Sequence, residues 1–241
     1  METDSGCTMT LTVQRSEPRG DGGLRGTLFA WPARLLSFGL VALLTLFLAG
    51  GSAEAFTDVP PDRLDYRAIT GLSLKGAVDG FPDGAFRPDS PALRAEFVKM
   101  VTSAMFLTPT DPNQAPFGDL DPDGVGARYP GSYIAAAYVA GIVEGKTSAV
   151  FDPYGPLTRA QAMTIVVRTA AKLRAREFKP LPADYRGRFA DFSDPTHGQS
   201  AKLAEANHLL AGIDLSRWDP WATATRSEAA TIVWNLVGCF G

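Results

Sequence analysis

Apolar residues after position 94 follow a helical period: Phe97, Met100, Val101 and Ala104 share one face. The same stripe returns as Ala162, Ile165, Val166 and Thr169, and again as Ala229, Ile232, Val233 and Leu236. Each stripe begins three residues after an arginine: Arg94, Arg159 or Arg226. The pattern therefore predicts three amphipathic helices with arginine in the first turn. Each is preceded by a breaker-rich loop, the first punctuated by Pro82, Gly84 and Pro88. The others contain Phe151-Asp152-Pro153 and Trp218-Asp219-Pro220, and proline to arginine is six residues in all three.

Upstream of each loop the pattern predicts a shorter helix. In copy one it contains Tyr66, Ala68, Ile69 and Leu72; in copy two it spans residues 133–140, and in copy three residues 202–210. Each ends near a glycine followed by apolar residues, Gly76, Gly141 or Gly212, as helix C-termini often do. Each copy opens on Phe-x-Asp: Phe56 and Asp58, Phe117 and Asp119, Phe189 and Asp191. Thr108-Pro109-Thr110-Asp111-Pro112-Asn113 and Lys179-Pro180-Leu181-Pro182 read as linkers between copies. One apolar face per copy cannot be buried by that copy alone, so the three are expected to pack together and unfold as one unit.

Residues 1–55 differ in kind. A polar, Gly-rich segment (1–34) without periodicity reads as disordered. An apolar run (35–48) follows Arg34 and ends at Ala53-Glu54-Ala55. That is the layout of a secretory signal peptide cleaved after Ala55, so the mature chain would start at Phe56. The rival reading is an uncleaved membrane anchor, but the run is shorter than the roughly 20 residues a spanning helix needs. Membrane contact is expected only through an uncleaved leader.

Composition narrows the rest. At 45% hydrophobic residues a buried core is within reach, and a net charge of −3 gives no basic footprint for nucleic acid. The two cysteines, Cys7 and Cys239, stand at opposite ends, so removal of the leader would leave no internal disulfide.

The Phe-x-Asp openings, the loop Gly76-Ala77-Val78-Asp79-Gly80-Phe81-Pro82-Asp83-Gly84-Ala85-Phe86-Arg87-Pro88 and the helix start Arg94-Ala95-Glu96-Phe97 resemble the S-layer homology domain, whose signature ends in Thr-Arg-Ala-Glu. The resemblance covers three consecutive copies, bounded at 56–115, 116–179 and 188–241. It implies a mainly α fold, with three helix-loop-helix repeats in a pseudo-threefold arrangement around a central three-helix bundle. It also implies a secreted protein held non-covalently at the cell wall or cell surface. The partner would be an anionic secondary cell-wall polysaccharide or peptidoglycan-linked polymer, often carrying pyruvate ketals, bound in grooves between repeats. The alternative is a structural or protein-interaction module of the envelope without glycan binding. The three copies leave no separate catalytic domain, so an enzyme is not expected, nor is any cofactor.

Three departures stand out. Leu93 occupies the threonine position in copy one, and Gln161 replaces glutamate in copy two. Copy three lacks the Gly-Phe-Pro-Asp-Gly loop: glycine to proline is 12 residues in copies one and two (Gly76 to Pro88, Gly141 to Pro153) but 8 from Gly212 to Pro220.

Thr225 with Glu228, and Thr158 with Gln161, have the spacing of a capping box. Leu93 has no side-chain acceptor and cannot complete one. The arginine between these positions opposes the helix dipole, so each copy calls for an anion. That anion is either the repeat's own Asp58, Asp119 or Asp191, or a polymer carboxylate gripped bidentately. The expected ligand set is Arg94 and Arg159, with Gly80 and Gly145 admitting the polymer to the backbone, and Asp58 and Asp119 as further candidates. Arg226 is expected to pair internally with Asp191 or Asp219.

Asp119, Asp121 and Asp123 imitate the start of a calcium loop, but Pro130 sits where an EF-hand needs its bidentate glutamate. His197 and His208 have no metal-ligand spacing, and no nucleophile elbow occurs.

Overall fold

The computed structural model describes residues 56–120, 129–216 and 218–238. The leader and its cleavage site, both cysteines, and Asp121 and Asp123 lie outside the described residues. What is described is mainly helical: α1 (Tyr66–Leu74), α2 (Arg94–Ala104), α3 (Gly131–Val139), α4 (Arg159–Leu173), α5 (Gly198–Ala206) and α6 (Arg226–Gly238). Its β content is isolated antiparallel bridges, Pro91 with Thr225, Leu93 with Pro156 and Thr158 with Thr223. None of the described helices is long and apolar enough to cross a membrane.

All twelve stripe positions of α2, α4 and α6 are buried. The three helices touch one another pairwise, so a single core receives all three stripes. Each shorter helix packs not on its own partner but on the long helix of the preceding copy: α3 on α2, α5 on α4, and α1 on α6. Gly71 of α1 makes the last contact close, because a Cβ there would strike the Trp234 ring.

Two of the shorter helices begin earlier than the apolar pattern suggests. Helix α3 starts at Gly131 and α5 at Gly198. For α5 the cause is Asp194, whose Oδ1 accepts from the amides of Thr196 (2.9 Å) and His197 (2.7 Å) while its carbonyl accepts from Gly198. This caps the helix four residues upstream of the expected start. At the other ends, Gly76 (φ +65°) and Gly141 (φ +70°) turn the chain left-handed. Ala77 and Ile142 then donate back to Leu72 and Ala137.

The long helices solve the problem of their free N-terminal amides across copies. Arg94 and Ala95 donate to Gly155 and Pro153 of copy two; Arg159 and Ala160 donate to Ala222 and Pro220 of copy three. Arg226 and Ser227 donate to Ser90 and Pro88 of copy one. Just upstream, Ala92 donates to Ala224, Ala224 to Leu157, and Leu157 back to Ala92, at 2.8–3.0 Å. The three helix starts are thereby tied into one closed circuit.

Candidate functional site

In copies one and two the Phe-x-Asp opening builds the loop. Both oxygens of Asp58 accept backbone amides, from Phe86 and Arg87, each at 2.7 Å. Asp119 does the same for Phe151 (2.9 Å) and Asp152 (2.7 Å). The second amide in each pair belongs to a residue with positive φ, Arg87 (+59°) or Asp152 (+61°), a conformation that costs a non-glycine residue energy and that the carboxylate holds in place. Phe86 and Phe151 are thereby buried against Phe56 and Phe117, with ring centroids 5.4 and 5.5 Å apart. In copy three Trp218 takes the phenylalanine's place against Phe189 at 5.9 Å. Its amide donates to Leu215 rather than to a carboxylate, following the shortened loop.

The buried loop residue presents its surroundings to an arginine from the preceding copy. Arg94 Nε donates to the Phe151 carbonyl (3.0 Å), and its guanidinium lies 4.4 Å from the Phe151 ring centroid. Arg226 Nε donates to the Phe86 carbonyl (2.8 Å) and lies 4.6 Å from that ring. Arg159 lies 5.1 Å from the Trp218 ring and donates from Nη1 to the Asp219 carbonyl at 3.4 Å. Cation–π contact and carbonyl acceptors together favour a cation at all three places.

The counter-ions differ from those expected. Arg226 pairs with Glu96, Nη1 to Oε1 at 2.5 Å, not with Asp191 or Asp219. Arg159 is gripped by Glu228, Nε to Oε2 at 3.0 Å and Nη2 to Oε1 at 2.6 Å. None of the three pairs with the Phe-x-Asp carboxylate of its own copy, because those oxygens in copies one and two are taken by loop amides. Each of the two glutamates serves more than one partner. Glu96 Oε2 caps Leu93 N at 3.0 Å while Oε1 meets Arg226, so copy one makes half of a capping box despite Leu93. Glu228 Oε2 caps Thr225 N at 3.0 Å, and Oε1 also accepts from Trp218 Nε1 at 2.9 Å.

Copy two is the exception. Gln161 completes the capping box with Thr158, its Oε1 accepting Thr158 N and its own amide donating to Thr158 Oγ1, both at 3.2 Å. Arg94, only 4% exposed, has backbone carbonyls as its hydrogen-bond partners among the described residues: Phe151 and, at 3.5 Å, Glu144. Burial pulls its pKa below the usual arginine value, while the charges of Asp152 and Asp119 oppose that shift. The group remains a cation at any physiological pH.

Three grooves follow, each combining an arginine from one copy, the loop and long helix of the next, and the opening of the copy after that. In the copy-one groove, about 340 Å³, Gly80 and Phe81 face Arg226, Glu96, Lys99 and Tyr129. Burial and the neighbouring Glu96 push the Tyr129 phenol up to about 12. In the copy-two groove, about 210 Å³, Gly145 and Lys146 face Arg94, Gln161, Thr164 and His197. In the copy-three groove, about 680 Å³, Gly212 and Trp218 face Arg159, Glu228, Arg63 and Trp234. The structure therefore brings Gly145 to Arg94 but places Gly80 with Arg226 and leaves Arg159 in the groove of the shortened loop, which is the largest of these three. Asp58 and Asp119 sit beneath the loops as supports.

Gly80 and Gly145 line their grooves, but the need for glycine is internal. A Cβ on Gly80 would lie 2.6 Å from the Phe56 ring, and one on Gly145 2.5 Å from Phe117 and 2.6 Å from the Val150 carbonyl. Sequence reasoning passed over Lys146 and Thr164, weighed His197 only as a metal ligand, took Glu228 for a cap alone and gave Glu96 no role. A signal for the glutamates was present: a first-turn arginine needs an anion, and the acidic residue two positions on recurs with it in copies one and three. His197 Nδ1 stands 2.7 Å from Thr164 Oγ1, whose hydroxyl donates to the Ala160 carbonyl at 3.0 Å. The ring nitrogen is then the donor of that pair. Among the described residues no three His, Cys, Asp or Glu side chains cluster as metal ligands.

The S-layer homology domain family matches this chain at residues 55–98 and 121–163. The chain belongs to that family. It is 30% identical over 192 residues to an S-layer protein of Bacillus thuringiensis subsp. finitimus, a match that covers 79% of this chain and 22% of the relative. It is 31% identical over 195 residues to the S-layer protein sap of Bacillus anthracis, with the same two shares. An uncharacterized cell wall amidase of Bacillus anthracis is 30% identical over 208 residues, 83% of this chain and 36% of the relative. The matches thus span between about a fifth and a third of these relatives' lengths.

Proposed function

We propose that this chain is an exported wall-binding module. It attaches non-covalently to an anionic secondary cell-wall polysaccharide or peptidoglycan-linked polymer through the grooves between its copies. The observation that carries this reading is the recurrence of one site: a cation from one helix start set against the loop of the next copy, three times in equivalent places. Internal ion pairs with Glu96 and Glu228 account for Arg226 and Arg159, whereas Arg94, also set against the helix dipole, has backbone carbonyls as its hydrogen-bond partners among the described residues. The relatives support the assignment, because S-layer proteins and a wall amidase share this part while their names describe different work. A shared part among proteins of different function suits an anchor, and no catalytic role is proposed for it.

In this reading residues 56–115, 116–179 and 188–241 are three repeats of the family, the last outside the matched segments. The pairwise contacts of α2, α4 and α6 and the hydrogen-bond circuit of Ala92, Leu157 and Ala224 support a pseudo-threefold arrangement around a central three-helix bundle. The leader is read as cleaved after Ala55, with the mature protein at the cell wall. N-terminal sequencing of the secreted form should begin at Phe56, and recovery of residues 35–48 would favour a retained anchor.

Binding is tested with purified sacculi before and after removal of the secondary polymer. Retention on intact sacculi that is lost on stripped ones is expected. Equal retention on both would overturn polymer binding, and retention on neither would leave the protein-interaction alternative.

A further inference from the structure

We propose that Trp221 is a stacking platform for an uncharged sugar ring of the wall polymer at the rim of the copy-two groove, with Tyr154 its equivalent at the copy-one groove. This rests on the polymer-binding reading above.

The residue that follows the loop proline is Asp89 in copy one, Tyr154 in copy two and Trp221 in copy three. Asp89 pairs with Arg63 at 3.4 Å. The two aromatic residues instead stand half exposed, 54% for Tyr154 and 51% for Trp221. Trp221 is nonetheless held firmly. Its amide donates to Asp219 Oδ1 at 2.9 Å, and the carbonyls on either side, Pro220 and Ala222, accept the first amides of α4. Its ring meets Phe192 and His197, each with centroids 5.7 Å away and planes nearly perpendicular, at 69° and 73°. A large aromatic ring fixed in place and still half exposed is prepared for a flat apolar partner, because little freedom remains to be lost on contact.

Its place selects the partner. His197 lines the copy-two groove, so Trp221 stands beside that groove. At about 210 Å³ the groove is smaller than sites for drug-sized molecules, and a polymer lodged there must run on over its rim. Guanidinium and ammonium groups lie over Phe81, Phe86, Phe151, Trp218 and Tyr129, whereas among the described residues none lies over Trp221 or Tyr154. The negative ring face is therefore open to the weakly positive C–H face of an uncharged sugar, whose hydroxyls stay in water. Tyr154 is placed alike: its phenol is near enough to Tyr129, which lines the copy-one groove, to help raise that group's pKa. In copy one the charged pair of Asp89 and Arg63 takes this position, so the copy-three groove, which Arg63 lines, has no such platform.

Trp221→Leu keeps an apolar side chain against Phe192 and His197 but removes the ring, and Trp221→Tyr restores a smaller ring. Affinity for polymer-bearing sacculi should fall about tenfold in Trp221→Leu, the order of one lost aromatic contact. In Trp221→Tyr it should stay within about threefold of wild type, because a ring face remains. The tenfold factor should be the same at low and high salt, since an uncharged contact is not screened. Wild-type affinity in Trp221→Leu would overturn the inference while leaving polymer binding intact. Equal losses in the two variants would overturn it too, since the ring face would not then be what matters. A loss that shrinks as salt rises would make the contact ionic and overturn the uncharged partner. Wild-type protein that fails to bind intact sacculi removes the underlying reading instead.

Discussion

Both oxygens of the Glu228 carboxylate meet the guanidinium of Arg159, at 3.0 Å and 2.6 Å, across 69 positions of sequence. The pair joins the start of α4 to the start of α6 and also receives the Trp218 indole N–H. One glutamate thus caps its own helix, neutralises a neighbour's arginine and orients the aromatic residue beneath it.

Arg159→Ala should therefore lower stability more than binding. With side chains 18% and 15% exposed, the pair is screened less than a surface ion pair, and losing it should cost about 1–3 kcal/mol. Melting curves and sacculus-binding isotherms of the variant check this. An unchanged melting temperature with weakened binding would return Arg159 to the polymer.

Acidification should weaken the fold through His197. Burial depresses its pKa, the Arg168 charge adds to the depression, and Asp194 opposes it. The folded protein then binds fewer protons than the unfolded chain between its lowered value and about 6.5. Stability rises with pH across that window and is lost as pH falls through it. His197→Asn should flatten the dependence of melting temperature on pH just below 6.5, and an unaltered profile would show that other groups carry it.

The loop glycines should separate by mechanism. Gly80→Ala and Gly145→Ala force a methyl into the Phe56 or Phe117 ring and nearby carbonyls, an overpacking cost of about 1–3 kcal/mol. Gly76→Ala meets nothing within 4 Å, so only its φ of +65° is penalised, at about 1 kcal/mol. Denaturant titrations of the three variants should rank Gly76→Ala as the mildest.

Deleting residues 188–241 should abolish cooperative folding. It removes α5 and α6, uncovers the stripes of α2 and α4, and takes away the Ala222 and Pro220 carbonyls that satisfy the start of α4. A broad transition or self-association is expected by calorimetry and size-exclusion chromatography. A sharp transition from a monomer would mean that two copies suffice.

Much of this was legible because its causes are local. The stripes at Phe97, Ala162 and Ala229 follow from helical period, the turns at Gly76 and Gly141 from the freedom of glycine at positive φ, and the Thr158 and Thr225 boxes from spacing. The start of α5 was misplaced because Asp194 caps a turn that contains no apolar residue to announce it. The departure at Gln161 was also visible in the sequence, though its consequence was not.

The sequence by itself determined which segments are helical, which face of each is apolar, and that each copy brings a cation needing an anion. Only the tertiary structure decided which anion. Arg226 finds Glu96 at a separation of 130 residues, and Arg159 finds Glu228 at 69. Periodicity sets the face of a helix but not the copy that a long side chain reaches. That choice is made when the closed circuit through Ala92, Leu157 and Ala224 sets each helix start into its neighbour's loop. The same circuit shares charge balance between copies: with Gln161 at the register of Glu96 and Glu228, Arg94 rests on the Phe151 and Glu144 carbonyls and on the charges of Asp152 and Asp119.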